Sequence, residues 1–215
     1  MMAEQMTFET GQGVIARPEG GSGPGVLVLH AWWGLTPFFS ELCDRLAAAG
    51  FVAVAPDFYG SGQTAETIPE AEALAQGMDG DQAGAIIKAA LATLQQEAVG
   101  AHVGAIGFSL GSGWVVELGE PAKALISFYD AAEVGDNVAS DAAFMGHFAA
   151  NDEYEEQQYI DMMADALREK GISVTLHTYP DANHWFFETN RPQYAPDAAD
   201  LAWERTLTFL RAHLG

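Results

Sequence analysis

The chain is expected to adopt an α/β fold: a mostly parallel, doubly wound sheet of about 7–8 strands with helices on both faces. Three observations lead there. Short apolar runs alternate with longer segments of helical periodicity, the pattern of strand–helix–strand units. The runs at 25–30 and 51–55 are apolar throughout, without the alternation of a half-exposed sheet, so both faces of those strands are covered. A Gly-x-Ser-x-Gly turn joins another such run to a helical segment.

The elements follow in order. Residues 6–9 and 13–17 read as an edge hairpin around Gly11-Gln12-Gly13. The Gly/Pro-rich stretch 18–25 precedes a strand. A phosphate-cradling loop follows a strand and opens a helix, so a dinucleotide site is excluded there. Strand 25–30 leads through the loop 31–37 into a helix over 38–50, whose apolar face carries Phe39, Leu42, Leu46 and Ala47 and which Gly50 ends. After strand 51–55 and the loop 56–63 come helices over 69–78 and 81–97, then a strand over 101–107. Trp114 to Leu118 reads as the next helix. Strands are expected at 122–129, 142–149 and 172–179, and helices at 153–170 and 195–213. No linker, repeat or inserted cap is visible, so the whole length, 1–215, is expected to form a single domain.

Composition narrows the function. Thirty acidic residues against 9 basic ones give a net charge of −21. Such a surface repels nucleic acid, and no basic patch is present to offset it. No apolar run approaches membrane-spanning length. The single cysteine, Cys43, permits no internal disulfide, and the first ten residues lack a signal-peptide pattern; both fit a cytoplasmic protein. The expected assembly is a monomer or homodimer.

The chemistry centres on Gly107-Phe108-Ser109-Leu110-Gly111. A serine at the apex of a strand-to-helix turn is held in a strained conformation with its hydroxyl exposed, and glycines two residues away on either side leave room for the sharp turn. A serine hydroxyl is a weak nucleophile until a base takes its proton. Of the 6 histidines, His102 and His177 lie in strands, His213 lies on the last helix, and His30 and His147 sit near strand ends. His184 occupies the loop between the last strand and the last helix, where a base belongs in the order serine, acid, histidine. The acid then falls between Ser109 and His184. Asp152, directly after an apolar strand, is the first choice; Asp181 and Asp130 are its rivals. The oxyanion donors expected by backbone position are the N–H groups of Leu110 and Trp32. No histidine or acid spacing matches a zinc signature, so neither a metal nor another cofactor is expected.

These pieces resemble the dienelactone hydrolases of the α/β-hydrolase superfamily. The resemblance is carried by 26–35, by Ala55-Pro56-Asp57-Phe58-Tyr59-Gly60, by the serine turn, by Gly146 to Asp152, and by Tyr179-Pro180-Asp181-Ala182-Asn183-His184-Trp185-Phe186-Phe187, and it spans about 24–211. It implies an α/β-hydrolase fold without a cap domain, a triad of Ser109, Asp152 and His184, and oxyanion donors at Trp32 and Leu110. The chain departs from the family in two ways. The family uses cysteine where Ser109 stands, and a glutamate where Ala31 stands. It also grips a substrate carboxylate with arginines, yet Glu188 stands near His184, 60–81 holds no arginine, and Arg191 is the nearest alternative. An anionic lactone therefore fits poorly.

Trp33, Phe38, Phe58, Tyr59, Trp185 and Phe186 map to the catalytic-edge loops and are expected to line a substrate pocket. The expected activity is hydrolysis of small carboxylic esters or lactones through an acyl-enzyme on Ser109. The alternatives are a thioesterase, acyltransferase or peptidase of the same superfamily, or a non-catalytic small-ligand receptor on this fold.

Overall fold

The computed structural model describes residues 2–139 and 141–215. Its described residues carry eight strands, mostly parallel to their neighbours, and six α-helices, the α/β class expected. They fall into two compact units, up to Val103 and from Gly104 onward.

In the first unit, β1 (Glu4–Thr7) and β2 (Gln12–Ala16) form the predicted antiparallel hairpin. β3 (Gly25–Leu29) pairs parallel with β4 (Val52–Pro56), and β4 pairs antiparallel with β2, giving the order β1-β2-β4-β3. Every residue of β3 and β4 is buried, as continuous apolar runs require. α1 (Pro37–Ala48), α2 (Ile68–Gln76) and α3 (Gly80–Glu97) stand where helices were expected, and α1 buries Phe39, Leu42, Leu46 and Ala47. α3 starts cleanly because the Asp79 carboxylate accepts the N–H groups of Asp81 and Gln82 at 3.0 and 3.1 Å.

In the second unit, β5 (Val103–Phe108), β6 (Ala122–Phe128), β7 (Ala143–Asn151) and β8 (Ser173–Asn183) are neighbours in that order. β7 pairs parallel with both β6 and β8. α5 (Gln157–Glu169) packs on β8, and α6 (Pro196–Leu214) packs on β6, β7 and β8. The last strand is longer than its alternating pattern suggested: β8 continues through Pro180 and Asp181 to Asn183, with an irregular register beyond Ala149.

The segment after the serine also differs from expectation. It is a 3-10 turn, Ser109–Gly111, followed by a single helical turn, α4 (Ser112–Val115). The helix read from Trp114 to Leu118 does not extend that far, and Gly119 in the left-handed region follows it. A one-turn helix adds little macrodipole, so the local N–H groups matter more than the helix behind them. Among the described residues no helix is long and apolar enough to cross a membrane.

Candidate active site

The serine turn is built by close backbone approach. A Cβ added to Gly107 would lie 2.6 Å from both the Gly111 oxygen and the Ser112 Cα, so only glycine allows the chain to fold back this tightly. Ser109 at the apex has φ +47°. A non-glycine residue in the left-handed region carries strain that the surrounding structure must hold in place. The side chain is half-buried, and its hydroxyl Oγ lies 3.4 Å from His184 Nε2. That spacing is long for a hydrogen bond and typical of a catalytic pair before substrate tightens it.

The imidazole is oriented from its other side. His184 Nδ1 lies 2.9 and 2.8 Å from the two oxygens of Asp152. A carboxylate can only accept, so Nδ1 carries the proton and Nε2 turns its lone pair toward Ser109. Both side chains are almost fully buried, at 5 % and 4 % exposure. Asp152 is fixed in turn, because its Oδ1 also accepts the N–H groups of Tyr154 and Glu155 at 2.9 and 3.1 Å. Glu155 reaches across to the loop after β6, where Oε2 accepts the Ala131 N–H at 2.8 Å.

The rival acids lie elsewhere: Asp181 is exposed on β8, and Asp130 follows β6. Burial, then the charges of Glu155 and Asp152, push the Asp130 carboxyl up to about 7. The turn carrying His184 also holds Glu188, whose carboxyl is fully buried and pushed up to about 8 by burial, with Arg191 opposing. Arg191 Nε lies 3.9 Å from Glu188 Oε2, so the arginine nearest the histidine faces this carboxyl.

Two of the other histidines, His30 and His147, have structural settings. His30 is buried, stacked on Phe58 at 3.6 Å, with Nδ1 2.7 Å from the Ala31 carbonyl; burial pushes its pKa down to about 3, so it stays neutral. His147 bonds the Tyr179 hydroxyl through Nδ1 and the Thr206 hydroxyl through Nε2. Cys43 is buried in α1, and its thiol is pushed well up by that burial.

The aromatic pocket expected from sequence is corrected in part. Trp33, Phe38, Phe58, Trp185 and Phe186 are all at 4 % exposure or less. Phe58 and Phe186 are core residues: Phe58 packs on His30, and Phe186 packs between Tyr129 and Tyr179. Large apolar rings on loops gain more by packing than by waiting for a ligand. Tyr59 is half-buried and donates its hydroxyl to the Trp32 carbonyl at 2.8 Å. Trp32, an expected oxyanion donor, stands in the loop after β3, and Leu110, the other, in the 3-10 turn after Ser109. Sequence reasoning missed Tyr129 and Tyr154, whose rings lie 5.2 and 5.0 Å from the His184 ring. No motif marks either one.

Comparison with known proteins decides the lineage. Residues 12–214 match the dienelactone hydrolase family. The chain belongs to that family. It is 30 % identical over 234 residues to Protein usf of Aquifex pyrophilus, covering 99 % of this chain and 100 % of that one. It is 29 % identical to a carboxymethylenebutenolidase of a Pseudomonas strain, over 90 % of this chain and 87 % of the other. Among solved structures, a dienelactone hydrolase-like promiscuous phosphotriesterase from metagenomic libraries superposes with a TM-score of 0.81 at 23 % identity, covering 99 % and 98 % of the two chains. A dienelactone hydrolase from Anabaena variabilis gives 0.66 at 15 % identity over the full length of both. At these identities the superpositions speak for the fold, and this family member is a hydrolase of the lactone and ester class.

Proposed function

We propose that this dienelactone hydrolase family member is a serine hydrolase of small, neutral carboxylic esters or lactones, working through an acyl-enzyme on Ser109. The observation that carries the reading is the bonded series from Asp152 to His184 Nδ1 and from Nε2 toward Ser109 Oγ. Ser109 Oγ attacks the carbonyl carbon while His184 Nε2 takes its proton, and Asp152 stabilises the imidazolium that forms. The Leu110 N–H is the proposed oxyanion donor beside the nucleophile. His184 returns the proton to the leaving alkoxide. Water, deprotonated by the same nitrogen, then attacks the acyl carbon and frees Ser109 with release of the acid.

A neutral substrate is favoured by the net charge of −21 and by the engagement of Arg191 with Glu188. A resting serine also needs no glutamate partner of the kind a thiol would have, in keeping with Ala31. The proposed setting is cytoplasmic, as a monomer or homodimer. Labelling with a fluorophosphonate probe tests the reading: folded wild-type protein should label and Ser109→Ala should not. Folded wild type that neither labels nor cleaves p-nitrophenyl acetate would sink it, and calorimetry with intact esters would then look for a receptor.

A further inference from the structure

Three non-glycine residues of the described chain stand at positive φ: Ser109 at +47°, Trp185 at +62° and Tyr129 at +67°. The first is the proposed nucleophile and the second follows the proposed base, so both strained positions border the reacting atoms. Left-handed backbone in a bulky residue persists only where the rest of the structure insists on it. Tyr129 is the one whose strain the reaction scheme above leaves without a purpose.

Its surroundings supply one. Tyr129 directly follows β6, is fully buried, and donates its N–H to the His147 carbonyl at 3.0 Å. From this left-handed position the phenol reaches the His184 turn. There its ring lies 5.2 Å from the imidazole and meets Phe186 edge-on at 5.3 Å. In that turn Phe186 N–H bonds the Asn183 carbonyl and Glu188 N–H bonds the Trp185 carbonyl. The Phe187 N–H between them has its acceptor outside the turn: it donates to the Tyr129 hydroxyl at 3.0 Å. A buried N–H without an acceptor is costly, so this bond fixes where the turn sits. Burial and the nearby Glu188 charge raise the phenol well above its ordinary range, so it stays protonated at every working pH.

We infer that Tyr129 is a positioning residue for His184. Its ring supports the imidazole, and its hydroxyl pins the backbone that carries the base, which together hold Nε2 in line with Ser109 Oγ. The inference rests on the triad reading above and assigns it one more component, acting through His184 and not on substrate.

The test is Tyr129→Phe, which removes only the hydroxyl, beside Thr206→Val, which removes a comparable buried hydroxyl bonded to His147. With p-nitrophenyl acetate, Tyr129→Phe should lose roughly 10- to 100-fold in kcat with KM within about twofold, the cost of a misplaced base. The far-downfield proton resonance of His184 Nδ1–H, bonded to Asp152, should broaden or shift. Thr206→Val should leave kcat and that resonance unchanged while lowering Tm. If Tyr129→Phe loses Tm but matches Thr206→Val in kcat and in the resonance, Tyr129 is merely structural and the inference is overturned. If wild type itself neither labels nor turns over, the hydrolase reading has failed, and the resonance alone decides: broadened in Tyr129→Phe it upholds the positioning, unchanged it refutes it.

Discussion

His184 Nδ1 stands within hydrogen-bond distance of both oxygens of Asp152, at 2.9 and 2.8 Å, and one of those oxygens also takes two backbone N–H groups. The carboxylate is therefore fixed before it meets the imidazole. Asp152→Asn would keep the shape but offer an amide N–H where an acceptor is needed, stabilising the wrong tautomer. The expected loss in kcat is about 10³- to 10⁴-fold, with folding intact. Asp181→Asn, at an exposed position of β8, should stay within about twofold of wild type. Parallel kcat measurements on the two variants decide between the acids.

Gly107 has no room for a side chain. Gly107→Ala would set a methyl group 2.6 Å from the Gly111 oxygen and the Ser112 Cα, both of them backbone. Relief must come from moving the serine turn, so the variant should lose on the order of 1–3 kcal/mol of stability. Fluorophosphonate labelling should fall with it, and should remain low at temperatures where urea titration shows the variant still folded.

Glu188 makes stability fall with rising pH. Its carboxyl is held at about 8 in the folded chain, against an ordinary value near 4.5 when unfolded. Between those values the folded state keeps a proton that the unfolded state has released, so stability is lost as pH climbs from about 5 to about 8. Asp130, held at about 7, acts with the same sign and stops contributing above that pH. Glu188→Gln removes the larger part. Urea unfolding at pH 5 and pH 8 should show wild type losing on the order of 2 kcal/mol more than the variant across that span. Equal losses would place the proton elsewhere.

His147 is buried with both ring nitrogens bonded, to Tyr179 and to Thr206. Thr206→Val keeps the volume and strands Nε2. Its expected cost is about 1–3 kcal/mol of stability, read by thermal unfolding, with labelling of Ser109 unaffected.

The residues of the proposed triad were legible because their reasons are local or ordinal. Gly107 and Gly111 flank Ser109 in a fixed spacing, Asp152 follows an apolar strand, and His184 lies between the last strand and last helix. Tyr129 was not legible: in Ser127-Phe128-Tyr129-Asp130 it continues an apolar strand, and no neighbouring residue announces a left-handed φ. Its partner, the Phe187 N–H, is 58 residues away, a contact only the folded chain creates. Phe58 and Phe186 misled for a related reason. Position on a catalytic-edge loop says where a ring starts, and packing decides which way it faces. The helix after Ser109 was overread because Trp114 to Leu118 has helical composition, whereas Gly119 turns the chain soon after Val115.

The three left-handed side chains also mark where this protein resists improvement. Replacing Ser109 with glycine would release backbone strain but remove the proposed nucleophile, whereas Tyr129 and Trp185 are buried rings whose loss would leave cavities costing more than the strain released. None of the three positions can be relaxed without disturbing the serine or the imidazole turn. Thermostabilising campaigns therefore belong at left-handed glycines set in open space, such as Gly21 and Gly171, where asparagine tolerates the conformation and trims the freedom of the unfolded chain. Durability and reactivity are drawn from separate parts of the chain, and only the first has slack.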